Sequence, residues 1–253
     1  MNISLVVLNW QRPAWLRWVI LPYLTRHPLI DEVIVSHGRQ DTAFSYRTRH
    51  CAVVHREDWG LNDEFGLSLR FVAAEGARNE AVLLMDDDLA PSHRTVTFLS
   101  ERGAEAPLTL HGIQGRGVTS DYEYRYGGFA RGPTPIVLTR CVLMDRSYGA
   151  LFLKEAHRVA HLIGRGVPKW NGEDIFLSLL SILRTGALPQ VYDLDFKNVW
   201  RMKRGSIKET QVPADSSVLL PHEEYRRWFT KEAIGVLGLG ATIDALLLDT
   251  RSP

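Results

Sequence analysis

Cysteine is scarce in this 253-residue sequence, which contains only Cys51 and Cys141, each within an apolar run. Two such residues exclude the dense disulfide framework on which small secreted domains depend. Strand-like residues begin at Ile3, and no charged segment, long apolar core or cleavage site of a secretory signal precedes them. We therefore expect buried free thiols and a protein of a reducing compartment, the cytoplasm.

Long apolar runs and an excess of one charge are also missing. No stretch reaches the roughly 20 apolar residues that a membrane-spanning helix needs. The 30 basic and 29 acidic residues leave a formal net charge of +1, which argues against a nucleic-acid binder that relies on phosphate contacts. We expect a soluble protein with no membrane span and no nucleic-acid partner; its oligomeric state stays open.

The order of the predicted elements is that of a single α/β domain. In the first half, helices over residues 13–26 and 62–77 alternate with strands over 3–9, 32–36, 51–55 and 81–85. This alternation predicts a Rossmann-like, mostly parallel central sheet with helices on both faces. The second half predicts a smaller mixed β region, with strands over 108–113, 122–126, 135–138 and 190–194. Its predicted helices span 146–162, 173–183, 223–237 and 241–248, and a basic loop spans 197–208.

Three consecutive carboxylates, Asp86, Asp87 and Asp88, follow the apolar strand over residues 81–85. In extended backbone, Asp86 and Asp88 point to one face and Asp87 to the other. Ligands of open α/β sheets bind at the carboxyl ends of strands, and oxygen ligands suit Mg²⁺ or Mn²⁺ bound to a diphosphate. The run therefore indicates a metal and nucleotide site. A solvated acidic loop is the alternative.

A second acidic group, Glu173 and Asp174, opens the predicted helix over residues 173–183. One interpretation is a capping box, in which Asn171 caps the helix and Asp174 lies three residues later. The other is a ligand-facing carboxylate at the helix start, with Trp170 as a flat surface for a sugar.

Five segments in this order resemble the exostosin-type glycosyltransferases, a GT-A-fold family that includes heparan-sulfate chain enzymes. They are residues 6–13, 32–36, 69–71 with 81–88, 136–139 ahead of Tyr148, and 171–174. The resemblance covers about residues 3–238 and implies a nucleotide-binding half, about 1–105, and an acceptor-binding half, about 106–253. It implies a metal-dependent retaining enzyme that moves N-acetylhexosamine or glucuronic acid from a UDP-sugar to a glycan or other hydroxyl acceptor.

The resemblance also implies a role for each matching residue. It assigns the metal, Mn²⁺ or Mg²⁺, to Asp88. It assigns binding of the UDP-sugar to Asn9, Arg12, His37, Arg70, Asp86 and Asp87. It assigns catalysis to Asp174, Glu173, Asn171 and Arg226. Arg227 is the alternative to Arg226, and an ordinary surface-helix arginine is the alternative at Arg70.

Two departures from the family pattern stand out. Animal members carry a disulfide between the positions of Gly172 and, in this alignment, about Phe229, and this chain lacks both cysteines. Where those enzymes have small residues after a Leu-Thr pair, this chain has Arg140 and Cys141. We expect an altered acceptor or donor-sugar pocket there, with simple core packing as the alternative for Cys141.

Two further functions stay open. A nucleotidyltransferase also combines such a sheet with an acidic metal site, but residues 9–13 read Asn-Trp-Gln-Arg-Pro and contain no glycine-rich phosphate loop. A non-catalytic sugar-nucleotide or glycan-binding module is the other alternative.

Overall fold

The computed structural model describes residues 1–163, 170–198 and 222–249. Within these ranges the strands are β1 Ile3–Asn9, β2 Ile30–His37, β3 Ala52–Arg56, β4 Ala81–Asp86, β5 Leu89–Pro91, β6 His111–Gly112, β7 Gly115–Arg116, β8 Gly132–Pro133, β9 Ile136–Val137, β10 Cys141–Asp145, β11 Gln190–Val191 and β12 Phe196–Asn198.

The helices are α1 Pro13–Trp15, α2 Leu21–Leu24, α3 Asn62–Phe65, α4 Leu69–Glu75, α5 His93–Glu105, α6 Ser147–Glu155, α7 Glu173–Thr185, α8 His222–Leu237 and α9 Gly240–Asp249. A π-helical turn, Leu16–Ile20, joins α1 to α2. Short 3₁₀ segments span Gln40–Thr42, Asp58–Leu61, Gly66–Ser68 and Ala156–Leu162.

One sheet runs through both halves of the chain, in the strand order β3-β2-β1-β4-β10-β6-β11-β8. The first four strands pair in parallel. Beyond them β10 is antiparallel to both β4 and β6, whereas β11 is parallel to β6. The predicted α/β class with a mostly parallel central sheet is confirmed, and the mixed strands belong to the second half of the sequence.

Helices cover both faces of the sheet, as predicted. Alternate residues of β1 point to opposite faces, so Leu5 and Val7 join one buried cluster and Val6 joins another. The first cluster contains residues of the helical run 13–24 and of α5, and the second contains residues of α4, α6 and α7. Because both faces are buried, the strands read as continuous apolar runs.

Several predicted elements differ from the structure. The helix over 62–77 is interrupted at Gly66, whose φ of +50° lies outside helical geometry. No strand spans 122–126, where Tyr122 has a φ of +62° and Tyr124 forms an isolated bridge to Val118. The strands over 108–113 and 190–194 shorten to two residues each, and residues 199–208 of the basic loop lie outside the described ranges.

Two elements, α5 and β10, were not predicted: β10 pairs with β4 and β6 in the sheet, and α5 packs against β6 and β10. In the part of the chain that the structure describes, no helix has the length and apolar character needed to cross a membrane. The described cysteines carry free thiols: Cys141 is buried, as expected, but Cys51 is half-buried.

Candidate functional site

The acidic run lies where β4 ends: Asp86 is its last residue, and Asp87 and Asp88 form a turn. The predicted extended backbone is therefore wrong for Asp87 and Asp88, although Asp87 does point away from the other two. Asp87 points to the segment after β1, where its Oδ2 accepts hydrogen bonds from the backbone N–H groups of Trp10, Gln11 and Arg12 at 3.1, 3.1 and 3.2 Å. The Arg12 guanidinium donates to its Oδ1 at 2.8 Å. Asp87 is buried, so these contacts fix the turn that leads into the first helix.

The side chains of Asp86 and Asp88 both point away from Asp87, and each faces an arginine. Arg70 Nη1 lies 3.1 Å from Asp86 Oδ1, and Arg140 Nη2 donates to Asp88 Oδ1 at 3.1 Å. Burial raises the pKa of Asp88, an effect that nearby Arg140 partly offsets. A half-buried acidic pair held by guanidinium groups is therefore present, rather than a solvated acidic loop.

The second acidic group lies at the start of α7, and its contacts exclude the capping box. Gly172 is the N-cap of α7, without a side-chain cap hydrogen bond. Asn171 Oδ1 instead accepts from Arg226 Nη1 at 3.1 Å, and Asp174 Oδ2 accepts from Arg226 Nη2 at 2.5 Å. Burial opposes the charge of Arg226, but Asp174, Tyr124 and Glu173 together outweigh burial and raise the arginine's pKa.

Glu173 is buried beside the Asp174–Arg226 ion pair, and Arg70 links it to the first acidic group. Its carboxylate accepts from Thr139 Oγ1 at 3.1 Å and from the Gly172 N–H at 3.2 Å. Burial, then the charge of Asp174, raise the pKa of Glu173. Arg70 Nη2 lies 4.0 Å from it, so one guanidinium lies between the two acidic groups.

Arg70 is not a surface-helix arginine. Its side chain is 5% exposed, Nε donates to the Leu67 carbonyl at 3.0 Å, and Nη1 donates to the Thr139 carbonyl at 3.2 Å. Burial opposes its charge, yet Asp86 and Glu173 raise its pKa. The backbone contacts fix this charge in place.

Gly172 and Phe229 face each other across α7 and α8. Gly172 has a φ of +149°, and a Cβ atom there would lie 3.0 Å from two ring carbons of Phe229. These are the two positions that the family resemblance joins by a disulfide in animal enzymes. A phenyl ring packed against a glycine takes the place of that link in this chain.

One pocket of about 410 Å³ brings both acidic groups together. Of the predicted site residues, its lining contains Arg12, Arg70, Asp86, Asp87, Asp88, Asn171, Glu173, Asp174 and Arg226. Residues that sequence reasoning missed as site members include Trp10, Arg116, Tyr124, Tyr126, Thr139 and His222. Arg140, noted only as a departure from the family, also lines the pocket.

Two tyrosines from the loop before β8 line the pocket on the side of Arg226. The Arg226 guanidinium lies 4.5 Å from the ring centroid of Tyr124, whereas exposed Arg227 lies 5.7 Å from that of Tyr126. Arg226, rather than Arg227, therefore reaches the pocket. Burial raises the pKa of Tyr126 to about 12, and its buried hydroxyl has no hydrogen-bond partner among the described residues. The polar–aromatic alternation of residues 122–126 was the available signal.

Asn9 and His37 are outside the pocket lining, paired across β1 and β2. Asn9 Nδ2 donates to His37 Nδ1 at 2.9 Å, which leaves His37 Nε2 to donate to His55 Nδ1, also at 2.9 Å. Burial and the neighbouring His55 lower the pKa of His37 to about 4. Asn9 and His37 thus form a buried hydrogen-bonded pair at the strand ends.

The structure places Trp170 away from the pocket. Its ring centroid lies 5.5 Å from that of Phe152, and its backbone has a φ of +66°. Trp170 packs on the core rather than offering a flat surface at the site.

An α/β sheet with an acidic, arginine-lined pocket at the carboxyl ends of its parallel strands is typical of ligand-binding α/β proteins. A model of the glycosyl transferase family 64 domain matches residues 4–227. The chain belongs to this family.

Other comparisons are more distant. The crystal structure of residues 1–349 of S. aureus TarS has a TM-score of 0.46 and 16% identity, and the match covers 76% of this chain and 58% of that one. This chain thus spans little more than half the length of that structure. No curated protein matches it.

Proposed function

We propose that this glycosyltransferase transfers a sugar from a UDP-sugar to a hydroxyl group of a glycan or small acceptor, with retention of configuration and a divalent cation. N-acetylhexosamine or glucuronic acid as the donor sugar follows from the exostosin resemblance. A reducing, cytoplasmic compartment suits the free thiols. The observation that carries the proposal is the single pocket that unites Asp86 and Asp88 with Asp174 and Arg226.

The donor set fits a divalent cation that also binds substrate. In the described ranges, no three His, Cys, Asp or Glu side chains are grouped so that they could hold a metal. Asp88, with Asp86 on the same face, offers one or two carboxylates, so diphosphate oxygens and water would complete the shell. Mn²⁺ and Mg²⁺ suit such an all-oxygen site.

The formal charge of the pocket lining also supports joint binding of a divalent cation and a UDP-sugar. Its lining carries five carboxylates, Asp86, Asp87, Asp88, Glu173 and Asp174, and five arginines, Arg12, Arg70, Arg116, Arg140 and Arg226. The formal charge is therefore zero. A UDP-sugar alone would add two negative charges, whereas a divalent cation and a UDP-sugar enter together without a net change.

Residues near the carboxyl ends of the parallel strands support nucleotide binding in this half of the pocket. We propose that Asn9 and Arg12 contact the base, with His37 holding the Asn9 side chain in place, and that Arg70 and Asp86 contact the ribose or diphosphate. Asn9 Oδ1 is buried without a hydrogen-bond partner in the described part of the chain, a state that a polar ligand would relieve. Asp87 supports this half indirectly, since its contacts hold the backbone of residues 10–12.

The catalytic half rests on the carboxylates of α7. Asp88 would hold the divalent cation, which would supply Lewis-acid stabilisation of the leaving diphosphate. Arg226 adds a fixed positive charge in the same pocket and holds the Asp174 carboxylate. Asp174 then orients the acceptor hydroxyl or stabilises positive charge on the sugar, while Asn171 and Glu173 keep this corner polar and ordered.

The test is a thermal-shift and turnover comparison of wild type with Asp88→Ala. UDP and one UDP-sugar should stabilise wild type only with Mn²⁺ present, by about 2.7 kcal/mol at 100 times Kd. Asp88→Ala should lose both the manganese-dependent shift and turnover. Asp193→Ala, at an exposed carboxylate paired with Arg131, is the matched control and should behave as wild type. Full turnover by Asp88→Ala would refute the metal assignment.

A further inference from the structure

The helical run over residues 13–24 is apolar on its outer side as well as on the side that packs on the sheet. Its inner residues are fully buried in the core: Leu16, Ile20, Leu21 and Leu24. On the outer side, Trp18, Val19 and Tyr23 are exposed. A helix that is apolar all round is normally covered on every side, so this outer side calls for a partner.

Trp18 is the most exposed large apolar side chain that the structure describes, at 67%. The Arg17 guanidinium lies 4.5 Å from the centroid of its ring. Helix α5 holds Tyr23 in place, because the Tyr23 ring lies 4.4 Å from that of His93 and its hydroxyl accepts from the His93 N–H at 3.1 Å. Tryptophan and tyrosine rings with arginines beside them are typical of surfaces at a membrane–water boundary.

The surface around these rings is basic. Residues 10–30 and 42–56 contain no aspartate or glutamate, and the hydroxyls of Thr25 and Tyr46, 3.1 Å apart, bring the two segments together. Four of their arginines form no ion pair with any residue that the structure describes: Arg17, Arg26, Arg47 and Arg49. Positive charge is therefore concentrated here, although the net charge of the whole chain is only +1.

Acidic side chains do not cancel this charge. The two acids next to these segments in the sequence, Asp31 and Asp41, pair with arginines of their own. On the neighbouring α5, Glu101 lies about two turns beyond His93. Asp195 lies at the start of α5, where its carbonyl accepts from the Ser92 N–H. The positive charge thus faces solvent beside the exposed rings.

We propose that this surface binds the face of a membrane that carries anionic lipids. It consists of Trp18, Val19 and Tyr23 with Arg17, Arg26, Arg47 and Arg49. The apolar side chains enter the headgroup region, and the arginines attract the lipid phosphates. Such binding is peripheral and requires neither a sugar donor nor a metal.

The same features argue against two other partners. A second copy of the chain would meet this surface through a two-fold contact, which places the same arginines opposite each other. A nucleic acid would use the arginines for its phosphates, but it would leave Val19 and much of the apolar area exposed. A membrane satisfies both the charge and the apolar side chains.

The experiment measures sedimentation of the full chain with lipid vesicles, in the absence of donor and metal. Vesicles of phosphatidylcholine mixed with phosphatidylglycerol should bind the chain at least about tenfold more tightly than phosphatidylcholine alone. Raising the salt from about 0.1 M to about 1 M shortens the screening length from about 10 Å to about 3 Å. Most of the binding should then be lost.

Two double variants separate the apolar and the charged contributions. Trp18→Ser/Val19→Ser removes the apolar side chains and should weaken binding to the mixed vesicles by about tenfold or more. Arg26→Gln/Arg47→Gln removes two exposed charges and should weaken it by a similar factor at low salt. Circular dichroism and the unfolding temperature establish that each variant is folded.

Matched controls change the same chemistry elsewhere on the surface. Leu248→Ser alters a side chain of α9 that is 65% exposed, close to the exposure of Trp18. Arg125→Gln/Arg131→Gln removes two exposed charges from the loop before β8 and its end. Both controls should bind the mixed vesicles as wild type does.

Fluorescence locates the contact. Brominated phosphatidylcholine in the mixed vesicles should quench part of the tryptophan emission of wild type, because bromine quenches an indole ring that touches it. Trp18→Phe keeps an apolar ring, so it should still sediment with the vesicles but lose most of the quenching. Undiminished quenching in Trp18→Phe would place the contact at another tryptophan and overturn the assignment.

Each remaining outcome also decides the question. If the chain sediments with none of the vesicles at low salt, membrane binding is wrong, while the turnover test at Asp88 is unaffected. If mixed-sequence duplex DNA binds as tightly as the vesicles and Trp18→Ser/Val19→Ser changes neither, the arginines bind any polyanion and the lipid assignment is wrong. If that variant instead converts a dimer to a monomer in ultracentrifugation, with vesicle binding unchanged, the partner is a second copy.

Discussion

Replacing Arg226 with methionine should destabilise the protein more than any change at its neighbour Arg227. Arg226 is buried, and its guanidinium contacts Asp174 at 2.5 Å and Asn171 at 3.1 Å. Methionine fills much of the same space without a charge. The Asp174 carboxylate, only 5% exposed, would then lack its nearest counter-charge.

The expected magnitude follows from that burial. Breaking a buried ion pair by removal of one partner destabilises proteins by about 3–5 kcal/mol. Water in the pocket can reach part of Asp174, so we expect the lower end, about 3 kcal/mol. For a chain of this length each kcal/mol corresponds to about 2–4 °C, and the melting temperature should therefore fall by roughly 6–12 °C. Urea unfolding gives the free energy directly.

The control variants test whether loss of the buried positive charge causes the destabilisation. Arg227→Met removes an exposed charge stacked over Tyr126 and should change the free energy of unfolding by less than about 1 kcal/mol. The double variant Arg226→Met/Asp174→Asn should be more stable than Arg226→Met alone, because no buried carboxylate is left without a partner. A loss below about 1 kcal/mol in Arg226→Met, or no recovery in the double variant, would refute the reasoning.

Two further predictions concern His37 and Gly172. Burial and His55 lower the pKa of His37 from 6.5 to about 4, so the unfolded chain protonates first and stability is lost as pH falls between those values. His37→Asn should flatten the pH dependence of urea unfolding from pH 7 to 4, and an unchanged slope would contradict it. Gly172→Ala, at a φ of +149° against Phe229, should lower stability by about 1–3 kcal/mol in calorimetry. Gly60→Ala, with no atom within 4 Å, is its control, and equal melting temperatures would contradict this reasoning.

The first half of the fold was predictable because its strands are buried on both faces. Such strands read as continuous apolar runs, and the predicted β1 and β4 match the structure to within one residue. The short strands of the second half, such as β6 and β11, are fixed by pairing with neighbours distant in sequence. A pattern of two residues cannot specify which distant strand those residues will pair with.

The missed helix α5 had a recognisable start. The Ser92 side chain caps it by accepting from the Thr95 N–H at 3.1 Å, and serine is a favoured N-cap residue. The helix was overlooked because polar residues dominate it, so that its apolar stripe is narrow. Tertiary packing against β6 and β10, rather than sequence pattern, defines this element.

The site was predictable where spacing alone decides geometry. Asp87 points away from Asp86 and Asp88, as predicted, but a turn after β4 produces this arrangement rather than the predicted strand alternation. The partners of these acids could not be predicted in the same way. Arg140 lies 52 residues from Asp88 and Arg226 lies 52 from Asp174, so only the folded sheet and the packing of α7 on α8 bring them together.

The arrangement of charges explains how one pocket can hold two acidic groups without a ligand. Asp86 and Glu173 lie on opposite sides of Arg70, whose guanidinium is 3.1 Å from one and 4.0 Å from the other. Since backbone carbonyls hold Arg70, the two acidic groups keep a fixed separation. A positive charge held in this way offsets the repulsion between the two groups of carboxylates before any ligand binds.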